Sequence, residues 1–191
     1  QTLIERNKEA HDQIRKSFIM GSLKQRLTMA HLLYEFGDHD WLIEGLHDEH
    51  TLIQSLCAWL LGEARYKPAT EQLIDLFQTT QSRDVFHTTI VALGKLGEVE
   101  YITPYLENDN EHTRVCAAAG LAYAGDFTGK DIIMHTTRLN APTALRRGAL
   151  KVLSYFEEPP TSTRSYPQSN RQYAVDTHEE LARILLSFLE P

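Results

Sequence analysis

A column of leucines constrains this chain more than any other feature of it. Leu33, Leu61, Leu93, Leu121 and Leu153 each stand four residues before a turn position. Those positions are Gly37, Arg65, Gly97, Gly125 and Glu157, recurring at spacings of 28, 32, 28 and 32 residues. Eight residues before each turn come Met29, Cys57, Thr89, Ala117 and Ala149, mostly small enough to let helices approach closely. Eleven before it come Arg26, Gln54, Phe86, Arg114 and Arg146, so three arginines share a column and predict repeated polar contacts between units. A period near thirty residues marks stacked supersecondary units, none of which can bury its apolar face alone.

The stretch Thr88 to Leu106 shows one unit. An Ala/Leu-rich helix end runs into Leu96-Gly97-Glu98, and a second amphipathic segment carries Tyr101, Ile102, Tyr105 and Leu106. Glycine ends the first helix because it takes the left-handed conformation without steric cost. Ser22 with Gln25, and Thr51 with Gln54, have capping-box spacing. Ser82 opens the third unit, Asn110 the fourth and Asn140-Ala-Pro142 the fifth. Residues 1–21 read as an N-terminal capping helix or partial repeat, and residues 22–191 as the repeat domain. The fifth unit departs from the pattern, with a long loop over 157–176 and then a closing helix over 177–189.

Composition narrows the partners. The net charge is -7, which disfavours general binding to nucleic acid or to anionic membranes, since both call for a basic surface. Apolar runs fall well short of the roughly 18 residues of a membrane span. The start, QTLIERNKEAHDQ, is polar and charged, unlike a signal peptide, and its Gln in place of Met fits a trimmed chain or an excised domain. Cys57 and Cys116, the two cysteines, lie in apolar helical stretches and read as small core residues of a reducing compartment. A cytoplasmic location is therefore expected.

ALGKLGEVEYITPYL (Ala92 to Leu106) and WLLGEARYKPATEQLIDLF (Trp59 to Phe77) resemble HEAT-like repeats of the phycobilisome-lyase type. The resemblance covers about residues 22–156, with 177–189 as a closing helix. It departs from the pattern at Arg65 and Glu157 in the turn, and at Tyr34, Ala122 and Ser154 where an upstream glycine would stand. The resemblance implies an all-α solenoid, a right-handed superhelix of about five helix–turn–helix repeats whose second helices line the concave side. It also implies three kinds of protein: adaptors, bilin lyases and accessory modules of larger enzymes.

Chemistry-bearing motifs are sparse. There is no Gly-x-Ser-x-Gly and no glycine-rich phosphate loop, and neither cysteine has an evident activating base in sequence. His47-Asp48-Glu49-His50, with His39 nearby, reads as a solvated loop between repeats rather than a metal site. Deoxyhypusine hydroxylase resembles this architecture and holds iron with His-Glu pairs on its first helices. Here the corresponding pairs are Leu27-Thr28, Ser55-Leu56, His87-Thr88, Val115-Cys116 and Arg147-Gly148, with no His-Glu among them. HEAT-like DNA glycosylases need a basic concave face, which an acidic chain does not supply. No catalytic residue, metal or cofactor is expected.

The expected concave face is acidic instead. It collects Asp40, Glu44, Glu71, Asp75, Glu100, Glu107 and Asp131, with only Lys67 and Lys130 near the turns, and Tyr66 and Tyr105 as aromatic anchors. Trp41 and Tyr101 share a register position that reads as core. The expected function is a non-catalytic scaffold binding a protein or peptide, of basic character, through that surface. The alternatives are a bilin lyase or chromophore-handling subunit, and an accessory module of a larger enzyme.

Overall fold

The computed structural model describes residues 3–138 and 143–157. Ten α-helices appear among them: α1 (Leu3–Met20), α2 (Leu23–Glu35), α3 (His39–Glu44), α4 (Thr51–Glu63), α5 (Thr70–Thr79), α6 (Arg83–Leu96), α7 (Val99–Ile102), α8 (Glu111–Ala124), α9 (Lys130–Arg138) and α10 (Thr143–Glu157). Short 3-10 turns at Gly45–His47, Lys67–Ala69 and Thr103–Glu107 extend the second helices of the first three units. The long helices stack in sequence, α2 on α4, α4 on α6, α6 on α8 and α8 on α10, while the shorter elements form a second layer against them. This is the all-α HEAT-like solenoid that the resemblance implies, built on the recurring unit that the leucine column marks.

Four residues hold the left-handed backbone: Gly37 (φ 76), Arg65 (φ 49), Gly97 (φ 84) and Gly125 (φ 86). They are the first four turn positions read from the sequence. Each turn closes with the same two backbone bonds, at 2.9–3.0 Å. In each, the turn residue donates to the carbonyl three positions back, and the next residue donates to the carbonyl of the column leucine: Leu33, Leu61, Leu93 or Leu121. These are the paired bonds of a Schellman cap, which satisfy carbonyls that a helix end leaves open. The leucine side chains themselves are fully buried. One residue thus serves both the cap and the core.

The fifth position behaves differently. Glu157 is still helical, at the end of α10, where the column places a turn. The expected loop over 157–176 and closing helix over 177–189 otherwise lie outside the described residues, as does the Asn140-Ala-Pro142 start.

The caps mostly follow the sequence. The Ser22 N–H donates to Gln25 Oε1 at 2.9 Å, Ser82 Oγ accepts from Val85 N–H at 3.4 Å and Asn110 Oδ1 accepts from Thr113 N–H at 3.1 Å. The Thr51–Gln54 box does not form: α4 begins at Thr51 itself, with His50 as its cap residue. Gln54 Nε2 donates past it to the Asp48 carbonyl at 2.8 Å. Arg114, in the same column as Gln54, likewise donates to the Asn108 carbonyl at 2.7 Å, and Arg26 pairs with the Asp48 carboxylate. At Arg26, Gln54 and Arg114 the column therefore ties helices to the loops between units, and Phe86 interrupts it. Pro104, lacking an N–H, sits at the start of the 3-10 turn that follows α7, where α-helical bonding could not continue.

Spacing between the long helices is set by small residues. A Cβ placed on Gly62 would lie 2.8 Å from Ala92 Cα, and one placed on Gly94 would lie 2.1 Å from the Gly120 carbonyl oxygen. Both contacts join the position three before one turn to the position five before the next. Beside them, Lys95 pairs with Glu63 of α4 and lies with its ammonium 4.8 Å from the centre of the Tyr123 ring of α8.

Candidate functional site

The second layer carries the acidic surface. Along α3, Leu42 is buried while Asp40 and Glu44, one turn apart, are exposed; along α5, Leu73, Leu76 and Phe77 are buried while Glu71 and Asp75 are exposed. Ile102 and Ile133 are the buried anchors of the next two units, with Glu100, Glu107 and Asp131 exposed. Positions four apart share a helix face, so each pair forms one outward stripe. Asp40, Glu71, Glu100 and Asp131 lie in the first turns of α3, α5, α7 and α9, where the helix dipole favours negative charge. They follow their turns by three, six, three and six residues.

Basic groups are few in this layer. α3, α5 and α7, and the 3-10 turn Thr103–Glu107, contain no Lys or Arg. Lys67 is folded onto the next unit's turn, where its ammonium meets the Leu96 carbonyl and the Glu98 carboxylate. Lys130 stands beside Asp131 at the start of α9.

The two tyrosines differ in setting. The Tyr66 hydroxyl donates to the Asp40 carboxylate, joining two of the expected site residues across neighbouring units. That bond raises the phenol above its ordinary pKa. Tyr105 is half-buried, its ring 5.3 Å from Phe77 and 5.2 Å from Phe86, both edge-on. It closes an aromatic cluster in which Phe77 and Phe86 stack at 5.0 Å. Trp41 and Tyr101 are half-buried against the core, as their register predicts.

The histidines sort differently from the sequence expectation. His47, Glu49 and His50 are exposed, and Asp48 is engaged by Arg26. Another group converges instead: the ligand atoms of His87 on α6 and of His112 and Cys116 on α8 all lie within 4.8 Å of one another. The imidazoles of His87 and His112 are 4.4 Å apart between centres, and His87 Nε2 lies 3.0 Å from Thr113 Oγ1. Burial, then His112 and Arg83, push the His87 imidazole down to about 4. Burial also lowers His112, against the opposing charge of Asp84, and pushes the Cys116 thiol up to about 12. At neutral pH two neutral imidazoles face a neutral thiol. The sequence held a sign of this. His112 and Cys116 are one turn apart, and His87 stands ten residues before its turn where Cys116 stands nine before the next, but pairs compared within single units cannot reveal a set divided between two.

These elements define the chain's class as a HEAT-like helical solenoid. Among solved structures it is similar to the complex of CpcE and CpcF of phycocyanin lyase from Nostoc sp. PCC7120, with a TM-score of 0.62 and 21% sequence identity. The match covers 76% of this chain and 64% of that one, so the chain spans a little under two thirds of that relative's length. At this identity the likeness is one of fold. No protein-family model and no curated relative matches the sequence. No helix among the described residues is long and apolar enough to cross a membrane.

Proposed function

We propose that this chain is a non-catalytic binding module whose second-layer surface receives a protein or peptide with a basic segment. The observation that carries this reading is the run of exposed carboxylates along successive units: Asp40, Glu44, Glu71, Asp75, Glu100, Glu107 and Asp131. Like charge repeated along a surface steers an oppositely charged partner and gains specificity from register. Tyr66, held by Asp40, supplies an aromatic side chain at the edge of that surface. The concave placement of this layer is part of the proposal. The solved relative, a complex of two named components, supports a protein partner.

The test is a pull-down from native lysate with the wild-type chain and with Glu71→Lys combined with Asp75→Lys. A partner held at low salt and released at high salt, and lost in the double variant, is the expected result. Unchanged retention by the variant would overturn the proposal, because screening and charge reversal both act on exposed charge contacts.

A second reading is favoured by the same relative: the chain handles an open-chain tetrapyrrole, as a lyase subunit. Titration with such a pigment separates the two. A saturable change in visible absorbance that survives the charge reversal would favour the lyase reading, and its absence would leave the binding module.

A further inference from the structure

We infer that His87, His112 and Cys116 form a binding site for a thiophilic divalent cation of the zinc class, shared between α6 and α8. Two imidazoles and a thiol are the donor set that such ions take, at about 2.0–2.1 Å to nitrogen and 2.3 Å to sulfur. Tetrahedral ligation at those lengths places the donor atoms about 3.3–3.7 Å apart. The three atoms already lie within 4.8 Å of one another, so drawing them in takes about 1 Å, within the reach of small side-chain rotations.

The backbone explains why the group meets here. His87 precedes Gly94 by seven residues and Cys116 precedes Gly120 by four, so both lie on the helix faces that the Gly94–Gly120 contact presses together. Thr113 holds the His87 ring, the orienting role that outer partners play around metal-bound histidines. Asp84, in the first turn of α6, supplies negative charge near His112. The fourth position is left to water.

The other junctions lack the set. At the columns of His87, His112 and Cys116, the α2–α4 junction has Leu27, Leu52 and Leu56. The α4–α6 junction has Ser55, Asp84 and Thr88, and the α8–α10 junction has Val115, Ala144 and Gly148. One interface of a repeating structure therefore carries two imidazoles and a thiol where its equivalents carry neither. Binding would break the S–H bond of Cys116, form a metal–sulfur bond and release one proton to solvent, while both imidazoles enter neutral.

Cobalt(II) is the probe, added to the reduced full chain without oxygen. The expected result is one equivalent bound, with a thiolate-to-metal charge-transfer band, visible absorption of a four-coordinate ion, and one proton released to an indicator dye. Zinc should then displace the cobalt. Cys116→Ser should remove the charge-transfer band, and His112→Gln should weaken cobalt binding by at least about tenfold. Cys57→Ser, which changes the other, fully buried thiol, should leave the spectrum intact. Because His112 is partly exposed, its variant keeps the test open should Cys116→Ser fail to fold. No thiolate band with the wild-type chain, or a band that survives Cys116→Ser or vanishes with Cys57→Ser, would overturn the inference.

Discussion

Where α4 meets α6, Gly62 lies against Ala92, and the polar crossing is an ion pair between Glu63 and Lys95. Where α6 meets α8, glycine faces glycine, and the polar groups drawn into the seam are His87, His112, Thr113 and Cys116. The close contacts occupy the same two columns at both junctions, but the polar groups do not: Glu63 and Lys95 stand two residues before their turns, and His87, His112, Thr113 and Cys116 stand nine to thirteen before theirs. Glycine on both sides brings backbone against backbone, which lets short polar side chains meet across the seam. An alanine on one side puts a methyl into the α4–α6 seam, and Lys95 reaches from α6 to Glu63 on one side and Tyr123 on the other.

Substitution at the glycines should separate the junctions most. Gly94→Ala would set a methyl 2.1 Å from a carbonyl oxygen, with no flexible side chain to yield. We expect a loss of about 3 kcal/mol, the upper part of the overpacking range. Gly62→Ala, 2.8 Å from Ala92 Cα, should cost about 1–2 kcal/mol. Urea unfolding of both variants measures this, and equal losses would break the comparison.

The ion pair comes next. Burial lowers the Lys95 pKa, and Glu63 opposes that effect. Glu63→Gln leaves the ammonium nearly buried, 10% exposed, without its opposite charge, and should cost about 1–2 kcal/mol. Lys95→Met, which keeps the apolar stem and removes the charge, should cost less. If the order were reversed, the tyrosine contact rather than the ion pair would dominate the crossing.

The turns sharpen the comparison further. The α4 turn holds Arg65 at φ 49, and the α6 turn holds Gly97 at φ 84. Arg65→Gly should raise stability by about 0.5–1 kcal/mol by relieving the Cβ conflict, and Gly97→Ala should lower it by about 1 kcal/mol. Opposite shifts in melting temperature are the expected sign; shifts in the same direction would refute the strain account.

The smallest effect lies outside both junctions. Asp38 meets His11 at 2.9 Å and Arg15 at 3.0 Å, on α1. Burial raises its pKa, but the hydrogen bonds from His11 and Arg15 outweigh this and leave the carboxyl below its ordinary 3.8. A depressed carboxyl contributes stability that is fully present above its unfolded pKa and is lost as pH falls through the folded one. Asp38→Asn should therefore cost less than about 1 kcal/mol at pH 7. The difference should shrink in acid unfolding curves as pH falls below the ordinary carboxylate range and through the folded-state pKa of Asp38.

How far the sequence discloses this molecule depends on the range of each interaction. The turns are legible because a left-handed residue and the leucine four before it are fixed by one local motif, which even Arg65 obeys. Glu157 shares the spacing but is helical, so the column alone does not place the fifth turn. Asp40 with Glu44, and Glu71 with Asp75, are legible because each pair stands one turn apart on a short helix with a buried leucine between them. Tyr105 is less so: its ring contacts come from Phe77 and Phe86 in the preceding elements, beyond any local pattern. The His87, His112 and Cys116 group is hidden for the same reason, since its members belong to different units and converge only through the Gly94–Gly120 contact.

Lys95 has a consequence for how the stack unfolds. A chain of repeats with contacts only between neighbours behaves as a linear array in which each interface can melt nearly independently. Lys95 touches Glu63 of the unit before and Tyr123 of the unit after, so it couples two interfaces through one side chain. Opening either seam weakens a contact belonging to the other. The central helices should exchange their amide hydrogens as one cooperative block, and neutralising this single lysine should let that block come apart in stages.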